Sequence, residues 1–460
     1  MKDPEKKKSG PYRYLKSLLY LLLLISIIYA GLRLWNSGNN NEEKQYQFYR
    51  KIADSLYQHK SYKDALNFYS SALSYRPDDR YALEQIKAVQ INMDITFFNT
   101  FGGAQKDEGI GIALTNDGGY LLVGNTESWG NGNSKGWLIK TDAHGLLERR
   151  QTLGNGDENF LHALTPTLDG YFVAVGTSEL NDKNYVWMVK INQEGRSLWE
   201  KEWGSDSVSV SGLAIAENKD STFIISGHIQ VSDTSATDAW LGHFDDEGNL
   251  IDNFKYGKQG ADAATSVVFL NDSTFAFAGY TLEFPETHTD GWLVLCDLQG
   301  NILHQTKTGG KSNDVFTALT KLNDGRMIAA GHSQSYGNGS LDLWMVQFDA
   351  EGKEQWNKVI SGEGNDGAKS IIAMQDGSFA IAGYTTSFGH GGKDIWLLKL
   401  HRNGALDWKK ELGDIEDDLA NMLLMAPDGG FVLSGFVTQK NNTELCVIKT
   451  NPGGELSETK

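Results

Sequence analysis

Cysteine is almost missing from this chain, with Cys296 and Cys446 the two among 460 residues. Two cysteines cannot make a disulfide framework or a paired-cysteine metal site, so buried free thiols are expected. Proline is scarce beside glycine, 7 against 51, and that balance suits a chain made of many hairpins. Basic residues are outnumbered as well, 42 Lys and Arg against 59 Asp and Glu, for a formal charge of −17. A general phosphate-binding surface needs clustered Lys and Arg, so nucleic acid is excluded as an expected partner. Signatures of chemistry are scarce too: there is no P-loop and no H-E-x-x-H. No catalytic residue, cofactor or metal ligand set is therefore expected, and the chain reads as a non-enzyme.

What the chain has in place of these is repetition. The glycine of a GYT-like segment recurs at Gly124, Gly176, Gly227, Gly279, Gly331, Gly383 and Gly435, a period of 51 or 52 residues held seven times. Eleven or thirteen residues after it come Trp137, Trp187, Trp240, Trp292, Trp344 and Trp396, with Cys446 in the seventh place. Each copy holds four short apolar runs. In the sixth they are AKSIIAM, SFAIAGY, DIWLLKL and ALDWKKEL, with tight turns at Asp376-Gly377 and at His401 to Gly404. Glycine takes the positive φ that such turns require, so each copy reads as a four-stranded antiparallel meander. A lone meander leaves faces and edges open, whereas a ring of meanders packs face to face. The expectation is a mainly β protein with a seven-bladed β-propeller over residues 94–460. Its seventh copy runs out before an outermost strand, which in other copies has an aromatic five residues before a glycine, as in Trp199 to Gly204 and Trp408 to Gly413. The segment 95–102, ITFFNTFG, carries Phe97 in that aromatic slot and is expected to close the last blade.

The N-terminal part has a different composition. Residues 1–16 are basic, and Ser17 to Leu32 is an uncharged apolar run followed by Arg33 and Trp35. About 20 residues cross a bilayer, so Ser17–Trp35 is expected to be a transmembrane helix that anchors the chain. A signal peptide cleaved after Ala30 is the competing expectation, and it places Ile28 where a small residue is preferred. The basic flank puts residues 1–16 in the cytoplasm and the remainder on the far side, as in a single-pass inner-membrane protein. Residues 36–45 form a polar linker. In residues 46–93 the positions Tyr49, Ile52, Ala53, Leu56, Ala65, Tyr69, Ala72 and Pro77 resemble a tetratricopeptide repeat, whose paired helices need small residues where they cross and a proline after the second. A third helical pattern runs from Asp79 to Asn92. One such repeat buries little surface, so it is expected to lean on the propeller, on a second copy or on a partner.

The DGGY…VGNT and D-x-W-L-x-K signatures of residues 95–455 resemble the propeller repeats of secreted and envelope-facing bacterial proteins. The turn carrying Asp349, Gly352 and Trp356 is also similar to quinoprotein-like propellers, such as the periplasmic scaffold lipoproteins of outer-membrane assembly. Together with the helical repeat, these resemblances imply a scaffold that holds other envelope proteins in the periplasm. A glycan-binding or glycan-sensing propeller is the first alternative. A propeller enzyme, whether lyase, hydrolase or quinone-dependent dehydrogenase, is the second.

Two groups of residues are candidates for a site. Loops between blades, and those between second and third strands, share one face and vary in sequence, which is where function concentrates. On that face His228, Tyr280, His332 and Tyr384 directly follow the anchor glycine, and Trp129, Phe284, Tyr336 and Phe388 come five residues after it. These eight either rise to stack on sugars or anchor a protein, or fold down to seal blade junctions. Seventeen residues before the anchor are Asp107, Asp262, Asp314, Asp366 and Asp418, with Asn159 and Val210 in the remaining blades. They either ring the channel mouth, where carboxylates hold a cation such as Ca²⁺, or cap their own turns. Recurrence in nearly every blade favours the caps, since a site is needed only once.

Overall fold

The computed structural model describes residues 42–92 and 95–457 apart from 131, 232–235, 259, 284, 339 and 441. Ser17–Trp35, the expected span, lies outside the described residues. No helix among the described residues is long and apolar enough to cross a membrane. The chain divides into two compact units between Met93 and Asp94.

In the first unit three helices follow one another: α1 (Glu42–Gln58), α2 (Tyr62–Leu73) and α3 (Arg80–Ile91). α1 begins inside the stretch expected to be linker, because Glu42 and Glu43 occupy its first turn, where carboxylates favour the positive end of the helix dipole. Ala53, Ala65 and Ala72 are fully buried, so small side chains do lie where α1 and α2 meet. Asp79 caps α3 by accepting the Ala82 amide at 2.8 Å. A single carboxylate ties the unit together: Asp54 of α1 accepts the hydroxyls of Tyr69 in α2 at 2.6 Å and Tyr81 in α3 at 2.8 Å.

The second unit consists of seven four-stranded antiparallel sheets, the blades of a propeller. Blade 6 shows the pattern, with inner strand a at Asp366–Ala373, then b at Phe379–Thr385, c at Asp394–Leu400 and outer strand d at Leu406–Leu412. Its a–b turn closes by a bond from the Gly377 amide to the Met374 carbonyl at 3.1 Å, with Gly377 at φ +81°. Blade 7 draws on both ends of the chain. Leu419–Met425, Phe431–Gln439 and Asn442–Lys449 supply its first three strands, and Phe97–Phe101 supplies the fourth. Phe97 pairs opposite Lys449 and Phe101 opposite Leu445. The Ser457 amide donates to the Thr96 hydroxyl at 2.9 Å, so the two ends meet.

Each of the seven blade junctions is filled by an apolar cluster drawn from both neighbours. The repeated tryptophans Trp137, Trp187, Trp240, Trp292, Trp344 and Trp396 are all within these clusters and at most 3% exposed. Burial of one such ring removes about 150–250 Å² from water, and this is what holds the blades side by side. The outer rim uses a second contact. A c–d turn glycine receives the strand-d aromatic of the preceding blade: a Cβ on Gly404 would meet Trp356, and one on Gly145 would meet Phe97. Phe97 therefore docks blade 7 onto blade 1 just as Trp356 docks blade 5 onto blade 6. Lysines of the D-x-W-L-x-K signature brace the strands from within. Lys140 reaches Asp117 at 2.8 Å and Glu148 at 2.9 Å, and Lys449 reaches Asp428 at 2.8 Å.

Candidate functional site

The repeated aspartates do not form a ring of open carboxylates. Asp107, Asp262, Asp314, Asp366 and Asp418 are at most 1% exposed, and each accepts hydrogen bonds within its own blade, although Asp262 Oδ1 is left without a partner. Asp366 accepts the Thr385 hydroxyl at 2.5 Å, the Ser387 hydroxyl at 2.7 Å and the Gly362 amide at 3.2 Å. Asp314 is held likewise by Ser333, Ser335 and Gly310, and Asp107 by Thr126, Ser128 and Gly103. Blade 2 keeps the arrangement with neutral Asn159, which accepts from Lys135 at 3.1 Å and donates to Ser178 at 3.0 Å. Where fewer hydroxyls reach the group, at Asp262 and Asp418, burial raises the carboxyl pKa. The paired hydroxyls lie 19 and 21 residues after their aspartate, a spacing that was present in the sequence as a signal for the capping role.

The loop aromatics divide. Phe388 stacks on Trp396 with centroids 5.5 Å apart, and Tyr336 tilts onto Trp344 at 6.0 Å while donating its hydroxyl to the Gly309 carbonyl at 2.6 Å. Both fold down over blade junctions, the second of the two alternatives that the sequence left open. Trp129 stays out. It is 42% exposed, its amide is held by the Thr126 hydroxyl at 3.2 Å, and the Arg150 guanidinium lies 4.2 Å from its ring centroid. Phe284 lies outside the described residues. Of the four residues that follow the anchor glycine, Tyr384 is buried and lies against Gly367, and His228, Tyr280 and His332 are half-buried. Burial lowers the imidazole pKa of His228 and His332 and raises the phenol pKa of Tyr280 and Tyr384.

The inner strands carry a feature that periodicity did not reveal. In all seven blades the pairing of strand a with strand b skips one residue, and the skipped residues are Ile110, His162, Leu213, Thr265, Thr317, Lys369 and Asn421. An extra residue in one strand is a β-bulge, which bends the strand and re-aims the side chain. All seven line one central cavity of about 430 Å³. Three of them brace the ring by crossing to the next blade. Thr265 donates to the Phe316 carbonyl at 2.7 Å, Thr317 to that of Ala368 at 2.7 Å, and Asn421 to that of Gly109 at 2.8 Å.

His162 and Lys369 differ from these, because neither makes a hydrogen bond or an ion pair among the described residues. Burial, helped by the nearby His228, pushes His162 down to about 4, so its imidazole is neutral at neutral pH. Lys369 is exposed to the open channel, yet desolvation by the surrounding ring, with Lys393 adding, lowers its pKa. Glu108 opposes both shifts. Among the described residues no carboxylate lines the cavity.

One set of metal-ligating residue types also comes together among the described residues. Glu286, His288 and Asp290 each bring one ligand atom within 4.8 Å of the others, in the b–c loop of blade 4. At the matching place in blades 5 and 6, Asp342 and Asp394 cap their own loops through the amides of Asn338 at 3.1 Å and His390 at 2.9 Å. Asp290 Oδ1 is buried without a partner, but so is Asp342 Oδ1, so that property belongs to the repeat and does not single out an ion.

The strand pairing makes this protein a seven-bladed β-propeller joined to a three-helix unit. No protein-family model matches the chain, and no curated protein matches it. Solved structures that resemble it include the WD40 domain of Neurospora crassa Pan2, at 9% identity over 77% of this chain and 96% of that one, with a TM-score of 0.44. An α-L-arabinanase of Penicillium chrysogenum in complex with arabinobiose is 9% identical over 77% of this chain and 99% of that one, with a TM-score of 0.45. A puromycin hydrolase is 12% identical over 78% of this chain and 55% of that one, at 0.49. These likenesses carry no argument about activity.

Proposed function

We propose that the protein is a non-enzymatic scaffold of the cell envelope, anchored in the inner membrane by Ser17–Trp35 with residues 1–16 in the cytoplasm. Its tetratricopeptide-like helices and its propeller lie in the periplasm and hold other envelope proteins there. The observation that carries this reading is Trp129, an exposed indole on the loop face with a guanidinium beside it. Trp and Arg are the residue types most enriched at the energetic centres of protein interfaces. At the same place in blades 5 and 6, Tyr336 and Phe388 fold inward.

The test is a pull-down from detergent-solubilised membranes with tagged full-length protein, a Trp129→Ala variant and a version lacking residues 46–92, read by mass spectrometry. Specific partners that are lost with Trp129→Ala place the docking surface on the loops; loss with the deletion places it on the helices. Recovery of the same proteins as an untagged control overturns the scaffold. The indole face also suits stacking on a sugar ring, which makes glycan binding the second reading. In that case Trp129→Ala abolishes retention on a glycan column without lowering the melting temperature.

A further inference from the structure

We infer that the central channel is a binding site for a small oxyanion, a carboxylate or inorganic phosphate, with Lys369 as its charged ligand. Among the described residues the lining of the cavity contains one ammonium, one imidazole and several hydroxyls but no carboxylate. In a chain of formal charge −17, a carboxylate-free cavity built around an unpaired lysine is an exception to the general composition. The surrounding acidic surface repels free anions, so an anion held here is held by the cavity and not by a diffuse basic patch.

The donors are also uncommitted. Ser266 Oγ accepts the Leu319 amide at 3.1 Å and Ser370 Oγ accepts the Leu423 amide at 3.2 Å. Each oxygen is thus fixed in place while its proton is left for another acceptor. Lys369, on the bulge of blade 6, has no partner among the described residues for any of its three N–H groups. Lys369 is open to the channel, and a charge-assisted hydrogen bond to an oxyanion supplies the partner that the surrounding side chains do not. Thr265, Thr317 and Asn421 are engaged in holding neighbouring blades and keep the cavity rigid around the ligand. The charged and titratable groups that act on Lys369, His162 and His332 are Lys393, His228, Glu108 and Asp314. Of the two acids, Glu108 is already paired with Lys106 at 3.2 Å, and Asp314 is engaged by Ser333, Ser335 and Gly310. His162 is neutral at neutral pH, so it adds a dipole and not a charge.

The experiment is calorimetric titration of the full-length protein in detergent, at neutral pH and fixed ionic strength, with inorganic phosphate in one arm and malonate in the other. Saturable binding of either to a single site is expected, and the arm that saturates identifies phosphate or carboxylate as the ligand class. Lys369→Met is expected to weaken it about tenfold or more, the loss of one charge-assisted hydrogen bond. The double change Ser266→Ala and Ser370→Ala weakens it by a smaller factor. A second measurement needs no variant: reductive methylation of Lys369 in the native protein, followed by peptide mass spectrometry, is slowed by the anion that binds. Failure of both anions to bind, equal binding by Lys369→Met, or methylation of Lys369 unaffected by a saturating anion would each overturn the assignment.

Discussion

The blade junctions and the inner rim of the ring are made by the same repeat, yet they use repetition in opposite ways. At the junctions the side chain recurs: six of seven blades bring a tryptophan to the same place, at most 3% exposed. At the inner rim the backbone recurs and the side chain does not. All seven inner strands bulge at one position, which holds Ile110, His162, Leu213, Thr265, Thr317, Lys369 and Asn421. A junction is a packing problem with the same solution each time, because neighbouring blades meet at the same distance. A bulge constrains the main chain and leaves its side chain in the cavity, free to differ. Repeated residues therefore mark architecture here, and varied residues on repeated backbone mark the places where chemistry can be built.

That contrast is most sharply tested by substitution within a single blade. Trp396→Ala, at the junction of blades 5 and 6, is expected to lower stability by about 3–5 kcal/mol in urea unfolding. Lys369→Met on the rim of the same blade should leave the midpoint unchanged or raise it, since a desolvated ammonium is removed. Equal losses for the two would erase the distinction.

A smaller loss is expected at the buried ion pair between Lys449 and Asp428, which are 2% and 13% exposed. Lys449→Met strands the carboxylate and should cost about 3 kcal/mol, most of it recovered when Asp428→Asn is added. Recovery in the double variant assigns the pair to framework; no recovery shows the lysine itself to be indispensable.

Asp366 bears on whether the repeated aspartates belong with the junctions or with the rim. Asp366→Ala releases Thr385, Ser387 and Gly362 and should cost about 2 kcal/mol, whereas a metal chelator should not move the melting temperature of the native protein. A chelator-induced drop would return the aspartates to an ion site.

The smallest effect is a pH slope at the rim. His162 has its folded-state pKa lowered from 6.5 to about 4, so the unfolded chain binds its proton first. Its contribution is fully present above 6.5 and is lost progressively as pH falls toward about 4. His162→Gln should flatten the stability profile across that window; an unchanged slope would put the titration elsewhere.

Much of the fold was legible because its signals are local and repeated. Glycine turns, alternating apolar residues and the tryptophan spacing all recur at one period, and Phe97 could be matched to the slot left empty in blade 7. The site was less legible. Trp129, Tyr336 and Phe388 occupy the same place in their repeats, yet one is exposed and two are packed. Trp344 and Trp396 receive the rings of blades 5 and 6; a cation at the matching place does not separate the two outcomes, since Arg150 lies against the exposed indole of blade 1 and Lys409 against the packed Phe388. The aspartates lie at or just before the starts of the inner strands, but their capping depends on hydroxyls 19 and 21 residues away.

The sequence by itself determined the number of blades, the four strands in each, the borrowed closing strand and the absence of disulfides. These follow from short-range turn chemistry and from a period that any copy can be checked against. Only the tertiary structure decided which side chains meet across the ring. The bulge shifts each inner strand by one residue, and a shift of one reverses the side that every later side chain faces. His162 and Lys369, 207 residues apart in numbering, therefore reach the same cavity, which no spacing within a single repeat encodes.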